Sequence, residues 1–257
     1  VDADLTLSLI DATIQIEQPA ADRRTVGTGF LVQVPAPDGA PRTVLVTAAH
    51  VFEQMRGEEA RLGWRVRSLD GRWRYQPAPA IIRSADGKPL WTRHPVYDVA
   101  ALVVRAPDDF ARAAIPLAWL ADERTFSDYA VAPGDEMTTL GYPNGYSANP
   151  AGFPILRTGR IASYPLTPST QFPTFLIDLR ALPGNSGGPV FMTSRNRRQP
   201  STEQPAPPFV SGVLTKQVDL ELGVVTQARF VRETIALLDP PGTSPAGPSP
   251  VPPPAIR

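Results

Sequence analysis

Short apolar runs, each cut off by Gly, Pro or Asp, follow one another along almost the whole chain, and this punctuation constrains the fold more than any other feature. The runs are Thr13–Glu17, Gly29–Val34, Thr43–Ala48, Trp64–Leu69, Arg72–Gln76, Val99–Val104, Met137–Tyr142, Ile155–Tyr164, Thr174–Leu179, Pro189–Met192, Phe209–Thr215 and Val224–Phe230. In the first of them Ile14 and Ile16 alternate with polar residues, which is the period of a half-buried strand. Asp70-Gly71 separates two runs and reads as a hairpin turn, because that pair tolerates positive φ. Helical spacing occurs at Ala48–Met55 and at Val231–Leu238, where Val231, Ile235 and Leu238 share a face. Many short strands with a terminal helix point to a mostly-β chain, a barrel or a sandwich.

Composition excludes several functions. The 257 residues carry 25 basic and 25 acidic side chains, so no basic excess marks a phosphate-binding surface, and we expect no nucleic-acid partner. The hairpin Trp64-Arg65-Val66-Arg67 and Arg72-Trp73-Arg74-Tyr75 fits a strand pair with Trp64 and Val66 inward and the arginines solvated, rather than a base-stacking stripe. No apolar run is long enough for a membrane span. Without cysteine there is no disulfide and no thiolate nucleophile, and with only His50 and His94 a three-histidine zinc site cannot be built. No calcium-loop motif is visible, and no cofactor is expected.

The last 18 residues, Pro240 to Arg257, hold eight prolines and read as a tail or linker where a partner could attach. A second proline-rich stretch, Met192–Pro208, reads as a long surface loop.

Chemistry concentrates in Leu182-Pro183-Gly184-Asn185-Ser186-Gly187-Gly188-Pro189. A serine between glycines sits in a tight turn with an exposed hydroxyl, and nearby backbone N–H groups can converge on one small cavity. The segment also matches the G-x-S-x-G elbow of α/β-hydrolases. That fold needs its base histidine after the serine, whereas both histidines here precede Ser186. The order His, Asp, Ser remains available.

Four motifs occur in that order. Gly27-Thr28-Gly29-Phe30, Thr47-Ala48-Ala49-His50, Asp98-Val99-Ala100 and Gly184-Asn185-Ser186-Gly187-Gly188-Pro189 together resemble the chymotrypsin-like (trypsin-like) serine proteases. The separations fit: 48 residues from His50 to Asp98, and 88 from Asp98 to Ser186. Gly141-Tyr142-Pro143 resembles the strand that opens the family's second barrel. The resemblance spans roughly residues 10 to 239.

It implies two six-stranded antiparallel β-barrels with a C-terminal helix. The protease domain would cover residues 1–239, with barrels over about 10–120 and 121–239, followed by the tail 240–257. In the family's mechanism Ser186 would be nucleophile, His50 base and Asp98 orienter, with the N–H groups of Gly184 and Ser186 as oxyanion hole. His94 lies in a loop between strands, and no direct catalytic role is expected for it. By family position Arg180, Ala181 and Leu182, then Thr215, Lys216 and Gln217, would line the specificity pocket, and the Thr215 hydroxyl would bond Asp98. No Asp stands near the pocket base, which argues against a Lys or Arg preference. Arg180 or Lys216 turned inward would favour an acidic side chain; turned outward, they would leave a small apolar pocket.

Asn185 replaces the aspartate that pairs with a cleaved N-terminus in digestive trypsins, and with Pro183 it resembles the bacterial HtrA/Deg-type protease domain, here without a PDZ domain. That branch implies an exported protein. The expected function is therefore a serine endopeptidase acting on proteins or peptides. A catalytically quiet protease-like binding module, and an esterase on the same triad, are the alternatives.

Overall fold

A computed structural model describes residues 5–20, 24–35, 39–193, 208–218 and 221–239. Most of the Met192–Pro208 loop and the tail from Pro240 lie outside the described residues. The chain begins with helix α1 (Leu5–Ala12) and continues into β1 (Thr13–Pro19), β2 (Arg24–Pro35), β3 (Pro41–Thr47), α2 (Ala49–Gln54), β4 (Glu59–Arg67) and β5 (Trp73–Ile81). Then come β6 (Thr92–Arg93), β7 (Ala100–Val104), α3 (Asp108–Ala113), β8 (Ile115–Pro116) and α4 (Thr125–Asp128). The second half holds β9 (Glu136–Gly141), β10 (Ile155–Ile161), β11 (Thr174–Asp178), β12 (Pro189–Met192), β13 (Phe209–Val218), β14 (Leu222–Gln227) and α5 (Ala228–Ala236). No helix among the described residues is long and apolar enough to cross a membrane.

The second half closes as a six-stranded barrel in the order β10-β11-β14-β13-β12-β9. Met137, Ile177, Val190, Val213 and Val225 are buried in it. The first half departs from the expected closed barrel. Its strands run β5-β4-β1-β2-β3-β7-β6, with β8 pairing β2 in parallel, and no ladder joins β5 to β7. Composition explains the gap. β5 carries Pro77 and Pro79, which lack an N–H and so leave its outer edge short of donors. Most of the β5 side chains are exposed. The open sheet still encloses a core of Ile14, Ile16, Phe30, Leu45 and Phe52.

The hairpin differs from expectation in two residues. Trp64 is buried and Arg67 exposed as the alternation requires, and Gly71 takes φ +81° in the turn, but Val66, expected inward, is exposed and Arg65 is buried. The Arg65 guanidinium lies 5.0 Å from the Phe110 ring and 4.8 Å from the Phe153 ring. It donates to the carbonyls of Ile10 at 3.0 Å, Asp11 at 2.8 Å and Thr13 at 2.8 Å, and to the Tyr142 hydroxyl at 3.1 Å. Ile10 and Asp11 lie in the last turn of α1, whose carbonyls have no partner within the helix. Arg65 therefore caps α1 and ties it to the second half through Tyr142. Burial lowers the Arg65 pKa, while Tyr142 and Asp11 beside it oppose that shift.

The terminal helix starts earlier than its apolar spacing indicates. β14 stops at Gln227, whose side-chain amide donates to Leu166 O and Phe172 O, both at 2.8 Å. Helix α5 then buries Ala228, Phe230, Val231, Thr234 and Ile235.

Candidate active site

His50 is the second residue of α2, directly after β3 delivers Thr47. Asp98 lies just ahead of β7, the neighbour of β3 in the sheet. Strand pairing thus brings the two together. His50 Nδ1 is 2.7 Å from Asp98 Oδ2, and the His50 backbone N–H donates to Asp98 Oδ1 at 2.9 Å. One carboxylate therefore fixes both the ring and the backbone of the histidine. Burial alone would raise the Asp98 pKa, but the hydrogen bonds and charge of His50 outweigh it and hold the carboxyl below its ordinary range.

The turn bearing Ser186 belongs to the second half, between β11 and β12. Its fold depends on glycine at two points. Gly184 has φ +92° and Gly187 φ +90°, which an L side chain rarely adopts. A Cβ on Gly184 would overlap the Tyr142 carbonyl, and one on Gly187 would overlap Thr28 O and Thr47 Oγ1. Within the turn Asn185 N–H donates to Leu182 O and Gly188 N–H to Asn185 O, each at 3.0 Å. The N–H groups of Gly184 and Ser186 donate to no acceptor among the described residues.

Two threonines of the first half grip this turn, and nothing in the chain's periodicity singles them out. Thr28 N–H donates to Ser186 O at 2.8 Å, and Thr28 Oγ1 donates to Gly184 O at 2.6 Å. The same oxygen accepts from Tyr142 N–H at 3.1 Å. Thr47 Oγ1 donates to Thr28 O at 2.7 Å. Thr28, Thr47, Tyr142 and Gly184 are buried and Ser186 half-buried, so these bonds stand largely in place of water. The signal the sequence offers is their place within Gly27-Thr28-Gly29-Phe30 and Thr47-Ala48-Ala49-His50.

Ser186 Oγ donates to the Thr215 carbonyl at 3.1 Å rather than to His50. Thr215 departs from expectation as well. Its hydroxyl donates to Val224 O at 3.2 Å and makes no bond to Asp98. The β13–β14 register shifts between Leu214 and Lys216, and this irregularity turns the Thr215 side chain toward the neighbouring strand. Arg180 is exposed and pairs with Glu221 at 3.3 Å. Lys216 and Gln217 are exposed, Ala181 is buried and Leu182 half-buried. A groove of about 610 Å³ opens beside His50 and is lined by Val26, Glu53, Arg56 and Pro183 among others, which places His50 and the start of the serine turn on one cleft.

Comparison with known proteins agrees with this geometry. The model of the trypsin-like peptidase domain matches residues 27–197, so the chain belongs to the trypsin-like peptidase family. It is a serine endopeptidase. Among solved structures, the serine endoprotease from Yersinia pestis superposes with a TM-score of 0.55 at 15% identity, covering 93% of this chain and 67% of that one. The protease Anisep from Arthrobacter nicotinovorans gives 0.51 at 17% identity, over 88% and 94% of the two chains. The Rv3671c protease in its inactive form gives 0.52 at 20% identity, over 93% and 94%. At these identities the likeness is one of fold. No curated protein matched the chain.

Proposed function

We propose that this endopeptidase cleaves peptide bonds through Ser186, His50 and Asp98, by way of an acyl-enzyme. The double hold of Asp98 on His50 carries the reading. With Nδ1–H donated to the carboxylate, the His50 proton sits on Nδ1 and the Nε2 lone pair is free to act as base. For attack, the Ser186 hydroxyl leaves the Thr215 carbonyl and turns to His50 Nε2. Its oxygen adds to the scissile carbonyl as His50 takes the proton. The oxyanion that forms is received by the unengaged N–H groups of Gly184 and Ser186. His50 then protonates the departing amine, and the C–N bond breaks. Water repeats the sequence on the acyl-enzyme and restores the Ser186 hydroxyl.

The exposure of Lys216 and the Arg180–Glu221 pair support a small apolar specificity pocket, built on Ala181 and Leu182, in place of an acid-selecting one. The resemblance to exported HtrA-type proteases supports a working place outside the cytoplasm, which fractionation of producing cells tests.

The triad assignment is tested by steady-state hydrolysis of an unstructured protein substrate and of matched peptide and ester substrates. Ser186→Ala and His50→Ala should each lower kcat by at least about a thousandfold. Hydrolysis that survives Ser186→Ala would refute the assignment. Turnover of esters alone would favour an esterase. The Ser186–Thr215 bond favours one second reading, a chain that rests in a latent state: a folded wild type that turns over nothing until an effector is added would support it.

A further inference from the structure

His94 is the chain's other histidine. It is 5% exposed and is not part of the triad. Its Nδ1 accepts the backbone N–H of Val96 at 3.1 Å and of Tyr97 at 3.0 Å. A ring nitrogen that accepts carries no proton, so the His94 proton is on Nε2. Nε2 lies 3.2 Å from Glu233 Oε2 on α5, and donates to it. The segment closes on itself around the ring: His94 N–H donates to Val99 O, and Val99 N–H to Tyr97 O, both at 2.9 Å. Asp98 sits inside this loop, next to one of the two N–H groups that the imidazole holds.

A second observation gives the loop its importance. Thr215 does not brace Asp98, and among the described residues the hydrogen bonds recorded for its carboxylate come from His50. The place of Asp98 is therefore set by its backbone, and that backbone is wound on His94. The far side of the ring is fixed as well. Phe230 of α5 meets His94 edge-on at 5.6 Å and packs on Tyr97 at 3.9 Å. Glu233 is held in turn by Arg229 at 2.8 Å, which also reaches Glu123 at 2.7 Å and Ser169 Oγ at 2.9 Å.

We propose that His94 is the positioning residue for Asp98, and that Glu233 of the terminal helix fixes the His94 tautomer for that task. The proposal rests on the triad reading above. It makes α5 part of the active-site framework.

The test is steady-state kinetics on the full chain, with thermal unfolding of each variant as a check of folding. His94→Ala removes the acceptor of two N–H groups and should lower kcat about ten- to a hundredfold, with KM changed by less than about threefold, because the orienting carboxylate drifts while the substrate groove is untouched. His94→Asn should recover most of the loss, since its Oδ1 can accept the N–H groups two and three residues on, as in an Asx turn. In an Asp98→Asn background, His94→Ala should lower kcat no further; a general structural role would lower it in both backgrounds. If His94→Ala fails to unfold cooperatively, Glu233→Leu takes its place and should lower kcat about fivefold or more by freeing the tautomer. Unchanged kcat in a folded His94→Ala or Glu233→Leu variant, or a full further loss in the Asp98→Asn background, would overturn the proposal. A wild type without Ser186-dependent turnover would remove the triad reading and this proposal together, whereas Ser186-dependent turnover with indifferent His94 variants removes this proposal alone.

Discussion

The Thr28 hydroxyl donates to the Gly184 carbonyl at 2.6 Å, from β2 of the open sheet to the serine turn of the closed barrel, across a sequence separation of 156. The same side chain accepts from Tyr142 N–H, and its backbone takes the Ser186 carbonyl. One buried threonine thus holds Gly184 and Ser186, the two residues proposed as the oxyanion hole, so the two halves of the protein meet at the proposed catalytic turn.

Thr28→Val keeps the shape and removes the hydroxyl. Gly184 O and Tyr142 N–H would then be buried without this partner, at a cost of about 1–3 kcal/mol for each group left unsatisfied. We expect kcat to fall more than tenfold with a smaller change in KM, and Thr28→Ser to restore activity. Kinetics of the three proteins side by side decide this, and equal kcat for Thr28→Val and wild type would contradict it.

Gly187→Ala should fail for a different reason. Its backbone is at φ +90°, and the added methyl would overlap Thr28 O and Thr47 Oγ1. The left-handed conformation alone costs about 1–2 kcal/mol for a non-glycine residue. Both the unfolding temperature and kcat should drop, and a variant with wild-type values for both would show that the turn is looser than described.

Arg65 should prove a larger contributor to stability than any surface charge. Arg65→Met preserves much of the stem between Phe110 and Phe153 but leaves the carbonyls of Ile10 and Asp11 without their donor, and that of Thr13 with only the Tyr142 hydroxyl at 3.3 Å. Chemical denaturation should show a loss of about 3 kcal/mol or more. Arg67→Met, at an exposed position, should change stability by about 0.5 kcal/mol or less.

The pH dependence of stability follows from the depressed acids. Asp98, Glu123 and Glu233 are held below their ordinary range in the folded chain. Asp98 owes this to His50, Glu123 to Ser169 and Arg229, and Glu233 to Arg229 and His94, each against an opposing effect of burial. An acid whose folded pKa lies below its unfolded value contributes fully above the unfolded value, about 4, and loses that contribution as pH falls through the folded one. The urea midpoint should therefore decline as pH drops below about 4. Because all three carboxylates are a third or more exposed, the decline should be gradual and should weaken in salt. Asp98→Asn should flatten part of it; an unaltered profile would remove Asp98 from the account of acid sensitivity.

Local chemistry made much of this readable from residues alone. β1, β3, β7 and β12 fall where alternation or short apolar runs indicated, to within a residue or two at their ends. The turn at Asp70-Gly71 and the glycines beside Ser186 carry the positive φ angles that such residues permit. What escaped depends on residues distant in the chain. Helix α1 is short, and its carbonyls are satisfied by Arg65 more than 50 residues away, so no local cap announces it. Arg65 itself follows strand alternation in the sequence and violates it in space, because α1, Phe110 and Phe153 converge on it. The gap between β5 and β7 turns on which edge Pro77 and Pro79 face, and the Thr215 hydroxyl on a β-irregularity. Neither has a signature in spacing.

The central claim is that Ser186 is a nucleophile made reactive by His50. Intact-mass spectrometry after treatment with a fluorophosphonate, followed by peptide mapping, measures this directly. The account predicts one adduct per chain, located on Ser186, abolished by Ser186→Ala and strongly slowed by His50→Ala. An adduct on another residue, or labelling of Ser186 at the same rate without His50, would contradict it.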